Sequence, residues 1–312
     1  MTVSHPAKRP RRRRILILTA FTVALLLFAY LGVSAYAAHA LTLTERQPIT
    51  ADPRAAGMDV EDVTFRSLGG ELLLSGWLLK APADQGRLVI MVHGHNSSRD
   101  NRGVGLFSIA QGLVERGFSV LSFDLRGYGL SEGERFSLAY FEQQDVRGAI
   151  RFAQERGYAH IGLLGFSMGA ASSLLAAAAE PGIEAVAADS SYASLVELLE
   201  RELPRQSNLP RFFTPGVLIM ARLLYGIDAQ SVEPAAAAAR LAPRPLLVIH
   251  GVGDRLIPFD SAERIWRARY GDGAPDPETL VLVEGAAHVQ SFNADRAAYL
   301  ARVSGFFLAH LR

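Results

Sequence analysis

Apolar and polar positions follow two rhythms along this chain. Apolar or period-two runs at 60–65, 72–79, 88–92, 120–123, 161–164, 185–188, 246–250 and 280–283 predict strands. Gly69-Gly70 between the first two predicts a hairpin. Helix-length stretches at 107–116, 141–156, 168–179 and 261–270 separate the later strands. In the second of these, Val146, Ala149, Ile150 and Ala153 recur at the spacing that puts one apolar stripe against a sheet. Alternating strands and helices predict an α/β architecture: a mostly parallel sheet with helices on both faces. A long stretch between 188 and 246 breaks the rhythm. It carries helical patterns at 195–203 and 212–225, punctuated by Pro204, Pro210 and Pro215, and an Ala run at 235–239 that starts a helix after Pro234. An insertion of this size is expected to form a small helical lid at about 192–240. Phe212, Phe213, Val217, Leu218 and Ile219 make it apolar, but the run is too short for a membrane span and includes Arg222.

The N-terminus has a different pattern. From Ile15 to Ala40 there is no Asp, Glu, Lys or Arg. At about 1.5 Å per residue the run reaches about 39 Å, longer than a hydrocarbon core of about 30 Å. A helix is the structure that satisfies its backbone in lipid, so 15–40 is expected to be a transmembrane signal-anchor. Ala35-Tyr36-Ala37 and Ala38-His39-Ala40 each resemble a small-residue cleavage site, but the apolar stretch exceeds a usual signal core and favours an uncleaved anchor. Lys8, Arg9 and Arg11 to Arg14 precede it as a basic tail, 1–14, expected in the cytoplasm by the positive-inside rule. Everything beyond is then extracytoplasmic: a linker at 41–58 and a single domain at 59–312.

Composition sharpens the picture. The 312 residues carry a formal charge of +1, with 32 basic and 31 acidic residues. Because six of the basic residues lie in the tail, the rest of the chain is net acidic, which argues against a nucleic-acid partner. The absence of Cys removes thiolate metal sites, disulfides and cysteine nucleophiles.

The sharpest chemical signal is Gly165-Phe166-Ser167-Met168-Gly169, between an apolar strand and a helix rich in small residues. A serine in a tight strand-to-helix turn presents its hydroxyl, and glycines two places either side let neighbouring backbone pass closely. The helix start directs free N–H groups toward developing negative charge. A serine nucleophile needs a base and an orienting carboxylate. Of the eight histidines, His5 and His39 belong to the membrane region, and His160 and His310 to loop-like or terminal polar settings. His250 ends an apolar strand and reads as a packed core residue. His288, past the strand at 280–283, lies where open α/β sheets place ligand-binding residues. Asp254, past the strand at 246–250, is the favoured carboxylate. Asp189 is its rival, with a structural turn as its other use. Asp124, before Arg126-Gly127-Tyr128-Gly129, reads as turn-shaping. The backbone N–H groups of Met168 and His95 are candidate oxyanion donors, the second from His93-Gly94-His95-Asn96 after an earlier strand. A zinc site on His93 and His95 is not expected, for no acidic residue is near until Asp100.

These residues resemble the α/β-hydrolase superfamily over roughly four-fifths of the chain. The resemblance is carried by His93-Gly94, the run from Asp124 to Ser131, Gly165 to Gly169, Gly253-Asp254 followed by Ile257-Pro258, and His288. Within it the chain looks most like membrane-anchored, serine aminopeptidase-like hydrolases. The resemblance implies an eight-stranded sheet, a Ser167–His288–Asp254 triad, no cofactor, and hydrolysis of an ester, thioester or amide in a small-molecule acyl substrate. Serine at the elbow departs from dehalogenases and epoxide hydrolases, which carry Asp there. Two alternatives stand beside it. One is an aminopeptidase, which would want a lid carboxylate for the substrate amine, with Glu197, Glu200, Glu202 and Glu233 as candidates. The other is a non-catalytic membrane-tethered protein of the same fold.

Overall fold

The computed structural model describes residues 10–70, 72–83 and 85–312. Eight strands form one sheet: β1 (Asp59–Arg66), β2 (Leu73–Lys80), β3 (Arg87–Val92), β4 (Ser119–Phe123), β5 (His160–Phe166), β6 (Ile183–Asp189), β7 (Leu246–Gly251) and β8 (Leu280–Val283), in the order β1-β2-β4-β3-β5-β6-β7-β8. β2 runs antiparallel to both β1 and β4, and every pair from β4 to β8 is parallel. The Gly69-Gly70 turn takes positive φ at both glycines.

Alternation along the central strands sorts side chains into two core layers. Leu88, Ile90 and Val92 of β3 pack with α3 (Glu142–Glu155), α4 (Met168–Ala179) and α8 (Asp260–Tyr270) on one face. Val89 and Met91 pack with α2 (Leu106–Val114), the short α9 (Ser291–Ala294) and α10 (Arg296–His310) on the other. The stripe of Val146, Ala149, Ile150 and Ala153 is buried as its spacing requires. Burial on both faces explains why β3 to β7 read as continuous apolar runs. Helix α10, which the strand–helix rhythm did not single out, buries Tyr299, Val303 and Phe307 and is capped by the Asp295 carboxylate, which accepts the Ala298 N–H at 2.9 Å.

Between β6 and β7 lies a helical insertion: α5 (Leu195–Ser207), α6 (Thr214–Tyr225) and α7 (Pro234–Ala239), with 3₁₀ turns at Arg211–Phe213 and Ala229–Ser231. Pro204 does not end α5, contrary to its expected punctuation. It lies in the last turns, where its missing N–H forfeits only the bond to the carbonyl of exposed Glu200. Pro215 sits in the first turn of α6, where the N–H is not needed.

The N-terminal helix α1 (Pro10–Ala40) is long and apolar enough to cross a membrane, as a signal sequence also is. Its residues Arg11 to Ala29 are exposed, and Ser34, Ala37 and Ala38 are buried against the rest of the molecule. Positions 1–9 of the basic tail lie outside the described residues. The segment expected as a linker is extended and fastened down. Leu43 bridges to Arg135, and Arg46 donates to the carbonyls of Ser131 at 2.6 Å and Gly133 at 2.7 Å. The Asp100 carboxylate accepts the N–H groups of Thr50 at 2.6 Å and Ala51 at 2.7 Å.

Candidate active site

Ser167 is the single residue between β5 and α4, with φ 53° and ψ −118°, a conformation that strains any L-residue other than glycine. The two flanking glycines make it possible. A Cβ on Gly165 would stand 2.5 Å from the Ala170 Cα, and one on Gly169 would stand 2.1 Å from the Val92 carbonyl oxygen. The Ser167 N–H donates to the Asp189 carbonyl at 2.8 Å, which ties the turn to the end of β6.

Two loops converge on the hydroxyl. His288 follows β8, and its Nε2 is 2.9 Å from Ser167 Oγ. Its Nδ1 is 2.6 Å from Asp254 Oδ2, and Asp254 follows β7. With Nδ1–H donating to the carboxylate, Nε2 is free to accept the serine proton. Asp254 Oδ1 accepts the N–H groups of Leu256 at 2.9 Å and Ile257 at 2.8 Å. The loops are set against each other by backbone: the Gly253 N–H donates to the Ala286 carbonyl at 2.9 Å, and a Cβ on Gly251 would lie 2.3 Å from that oxygen. Burial opposes ionisation of Asp254, but hydrogen bonds from His250 and His288 outweigh it and hold its carboxyl well below the usual range.

The remaining sequence candidates fall into place around this chain of bonds. Asp189 turns elsewhere: its Oδ1 accepts the Ser190 hydroxyl at 2.8 Å and its Oδ2 the Tyr299 hydroxyl at 3.0 Å, and burial pushes its pKa up. Asp124 shapes a turn, paired with Arg99 at 3.0 Å and accepting the Leu130 N–H at 3.0 Å. His93 is buried and uses both ring nitrogens within the protein, accepting the Leu125 N–H at 2.9 Å and meeting the Gly94 carbonyl at 2.7 Å. Among the described residues no cluster of three or more His, Asp or Glu is arranged to hold a metal ion.

The loop after β3 abuts the serine, for a Cβ on Gly94 would come within 3.2 Å of the Ser167 Cβ. Neither the His95 nor the Met168 backbone N–H has a hydrogen-bond acceptor among the described residues. The His95 ring is pressed against Phe136, with centroids 4.1 Å apart, and its Nδ1 is 2.7 Å from the Tyr128 hydroxyl. Burial, reinforced by His93 nearby, lowers its pKa to about 4. The unfolded chain therefore takes up this proton first, and stability falls as pH drops from about 6.5 to about 4, with no contribution above that window. Replacing His95 with glutamine should remove about 1–2 kcal/mol of the stability lost between pH 7 and pH 5, measured by urea unfolding at both values.

Ser167 opens into an apolar cavity whose walls include Leu138, Tyr192, Leu198, Leu199, Val217 and Ile227. Of the four acidic residues considered for amine binding, only Glu202 lines it. Its Oε1 already accepts from Arg201 Nε and Arg205 Nη1, each at 2.9 Å. Glu197 pairs with Arg264 at 2.8 Å, Glu233 accepts the Ser194 hydroxyl at 2.6 Å, and Glu200 is exposed.

Two features escaped sequence reasoning. His250, read as a core residue, is buried with Nε2 3.3 Å from Asp254 Oδ2 and 2.8 Å from the Ile257 carbonyl. Its place directly before the Asp254 loop was the available signal. Ala38, Leu41 and Thr42, at the end of α1 and just beyond it, also line the cavity. No local signal marks them, since their pattern is that of a membrane segment.

Comparisons with known proteins agree with the fold. Residues 83–201 match the family model described as serine aminopeptidase, S33. The chain is 29% identical to the uncharacterised protein YqkD of Bacillus subtilis over 72% of each chain. It is 27% identical to the uncharacterised protein YfhR of Escherichia coli K12 over 75% of each. The esterase Pf2001 of Pyrococcus furiosus superposes with a TM-score of 0.70 at 21% identity, over 86% of this chain and all of that one (100%).

Proposed function

We propose that the chain, which has the α/β-hydrolase fold and matches the serine aminopeptidase, S33 model over residues 83–201, is a serine hydrolase that cleaves an ester or thioester through an acyl-enzyme on Ser167. The reading rests above all on the unbroken hydrogen-bond chain from Ser167 Oγ, which lines an apolar cavity, through His288 to Asp254. Ser167 Oγ attacks the substrate carbonyl carbon as His288 Nε2 takes its proton. Asp254 fixes the imidazole and stabilises the imidazolium that forms. The carbonyl oxygen becomes an oxyanion facing the N–H groups of Met168 and His95, at the start of α4 and in the loop after β3. Collapse expels the alcohol or thiol, which receives the proton from His288. Water, deprotonated by the same imidazole, then releases the acid and restores the serine hydroxyl.

An ester or thioester suits the cavity better than a peptide with a free N-terminus. The one lid carboxylate facing the cavity, Glu202, is neutralised by Arg201 and Arg205 and has no charge to spare for a substrate amine. The insertion carrying α5 to α7 acts as the lid. Helix α1 acts as an uncleaved membrane anchor, with the basic tail on the cytoplasmic side and the hydrolase domain on the other. Burial of Ala37 and Ala38, at the two candidate cleavage sites, supports retention.

Full-length protein in detergent should react with a fluorophosphonate probe. It should hydrolyse p-nitrophenyl esters at least 100-fold faster than aminoacyl p-nitroanilides, an order-of-magnitude expectation from the unpaired amine a peptide substrate would bury. Faster cleavage of the anilides would overturn the choice of ester over peptide.

A further inference from the structure

We infer that α1 is a wall of the acyl site as well as a tether, and that the substrate is a long-chain acyl ester drawn directly from the bilayer alongside α1 and α6. This rests on the hydrolase reading and on α1 as the membrane anchor, and it names the substrate class that such a site accepts.

The height of the membrane surface follows from α1 itself. Starting from Ile15, a hydrocarbon core of about 30 Å takes up about 20 residues, which brings its far edge to about Ser34. The burial pattern changes at the same level. Arg11 to Ala29 are exposed on all sides, Tyr30 and Leu31 are half-buried, and Ser34 is fully buried. The lid begins there. The Tyr30 hydroxyl donates to the Phe212 carbonyl at 2.9 Å, and its ring stacks on Phe213 with centroids 5.1 Å apart. Aromatic side chains with one polar end favour this interfacial depth.

Below that level α1 and α6 meet through small residues. A Cβ on Gly216 would stand 2.4 Å from Ser34 Oγ and 2.7 Å from the Tyr30 ring, and Ala37, Ala38 and Ala221 are buried in the same cluster. Close approach through small residues is how helices pack where lipid is the alternative neighbour. The outer side of α6 and its entry turn remain apolar and uncovered: Phe212 is 64% exposed, Ile219 53%, Leu223 73% and Leu224 50%. Ile219 and Leu223, four apart, share one helical face. A patch of this kind, continuous with a lipid-facing helix at Phe212 beside Tyr30 and reaching along α6 to Tyr225 beside His39, has the bilayer as its partner.

The route to the serine is short. Ala38, which lines the cavity, lies one helical turn, about 6 Å, past Ser34. Val217 and Ala221 of α6 line it as well, and so does Ser167. An acyl chain lying along the outside of the packed α1–α6 pair stays in apolar surroundings from the lipid to the level of the cavity, and its ester group is the end that meets Ser167.

The test uses the full chain reconstituted in phosphatidylcholine vesicles. It compares p-nitrophenyl palmitate held in the bilayer with water-soluble p-nitrophenyl acetate. Leu223→Glu together with Leu224→Glu puts two carboxylates on the exposed apolar surface of α6, and the palmitate-to-acetate rate ratio should fall at least tenfold. The pair Leu223→Met and Leu224→Met should hold the ratio within about twofold of the parent. With the parent protein, diluting the ester tenfold with inert lipid at constant bulk concentration should lower the palmitate rate about tenfold, which needs no variant to fold. An unchanged ratio in the glutamate pair, or a rate that follows bulk rather than bilayer concentration, overturns the inference while acetate hydrolysis stands. Absence of hydrolysis of both esters overturns the functional reading beneath it.

Discussion

Replacing Ser167 with alanine should leave a folded protein whose ester hydrolysis is lower by about 10⁴-fold or more. The loss is large because the serine oxygen is the atom that forms the new bond, and it is the hydroxyl that His288 Nε2 meets, at 2.9 Å. The residual rate would reflect only what oxyanion donors and substrate binding do for attack by water. Fluorophosphonate labelling should vanish in the same variant. Stability should hold or rise slightly, since the substitution trims one polar atom and leaves the strained backbone alone. A Ser167→Ala protein that is folded by circular dichroism and retains more than a tenth of parental activity would remove Ser167 from the mechanism.

The second large effect is on the fold and comes from Gly169→Ala. The added methyl would sit 2.1 Å from the Val92 carbonyl oxygen and 2.4 Å from that of His93, both rigid backbone atoms at the end of β3. Alanine suits a helix better than glycine by about 1 kcal/mol, so propensity alone predicts stabilisation. Steric overlap with backbone reverses the sign, and we expect a net loss of about 3 kcal/mol, read as a lower urea midpoint at unchanged m-value. Relief of the overlap must part α4 from the loop after β3, which separates the N–H groups of Met168 and His95. The folded fraction should therefore also lose about 10²-fold in turnover. A variant as stable as the parent would show that β3 and α4 pack less tightly than these distances imply.

The alternation of strands and helices was legible because parallel strands buried on both faces leave uninterrupted apolar runs, as in β3 to β7. Ser167, His288 and Asp254 stood out for a related reason: each follows the carboxyl end of a strand, and the glycines beside Ser167 and Asp254 let backbone approach closely. What stayed hidden depends on contacts between distant segments. The place of His250 before the Asp254 loop points to a contact but not to its sharing Asp254 with His288, because the geometry depends on how the loop returns past Ile257. Pro204 misled because proline's cost near a helix end is one bond to an exposed carbonyl, too little to stop α5. The part of α1 in the cavity wall could not be read at all. Alanines that face lipid and alanines that face a lid helix look alike in sequence.

Fastening of residues 43–51 to the body has a consequence for reach. Because Leu43, Arg46, Thr50 and Ala51 are all bonded to the body, the chain has no free swivel where it leaves α1. The molecule is a bracket rather than a domain on a leash. With α1 as the membrane anchor proposed above, its mouth is held at one height and one tilt over the bilayer, and it serves neighbours diffusing in that plane rather than a facing surface.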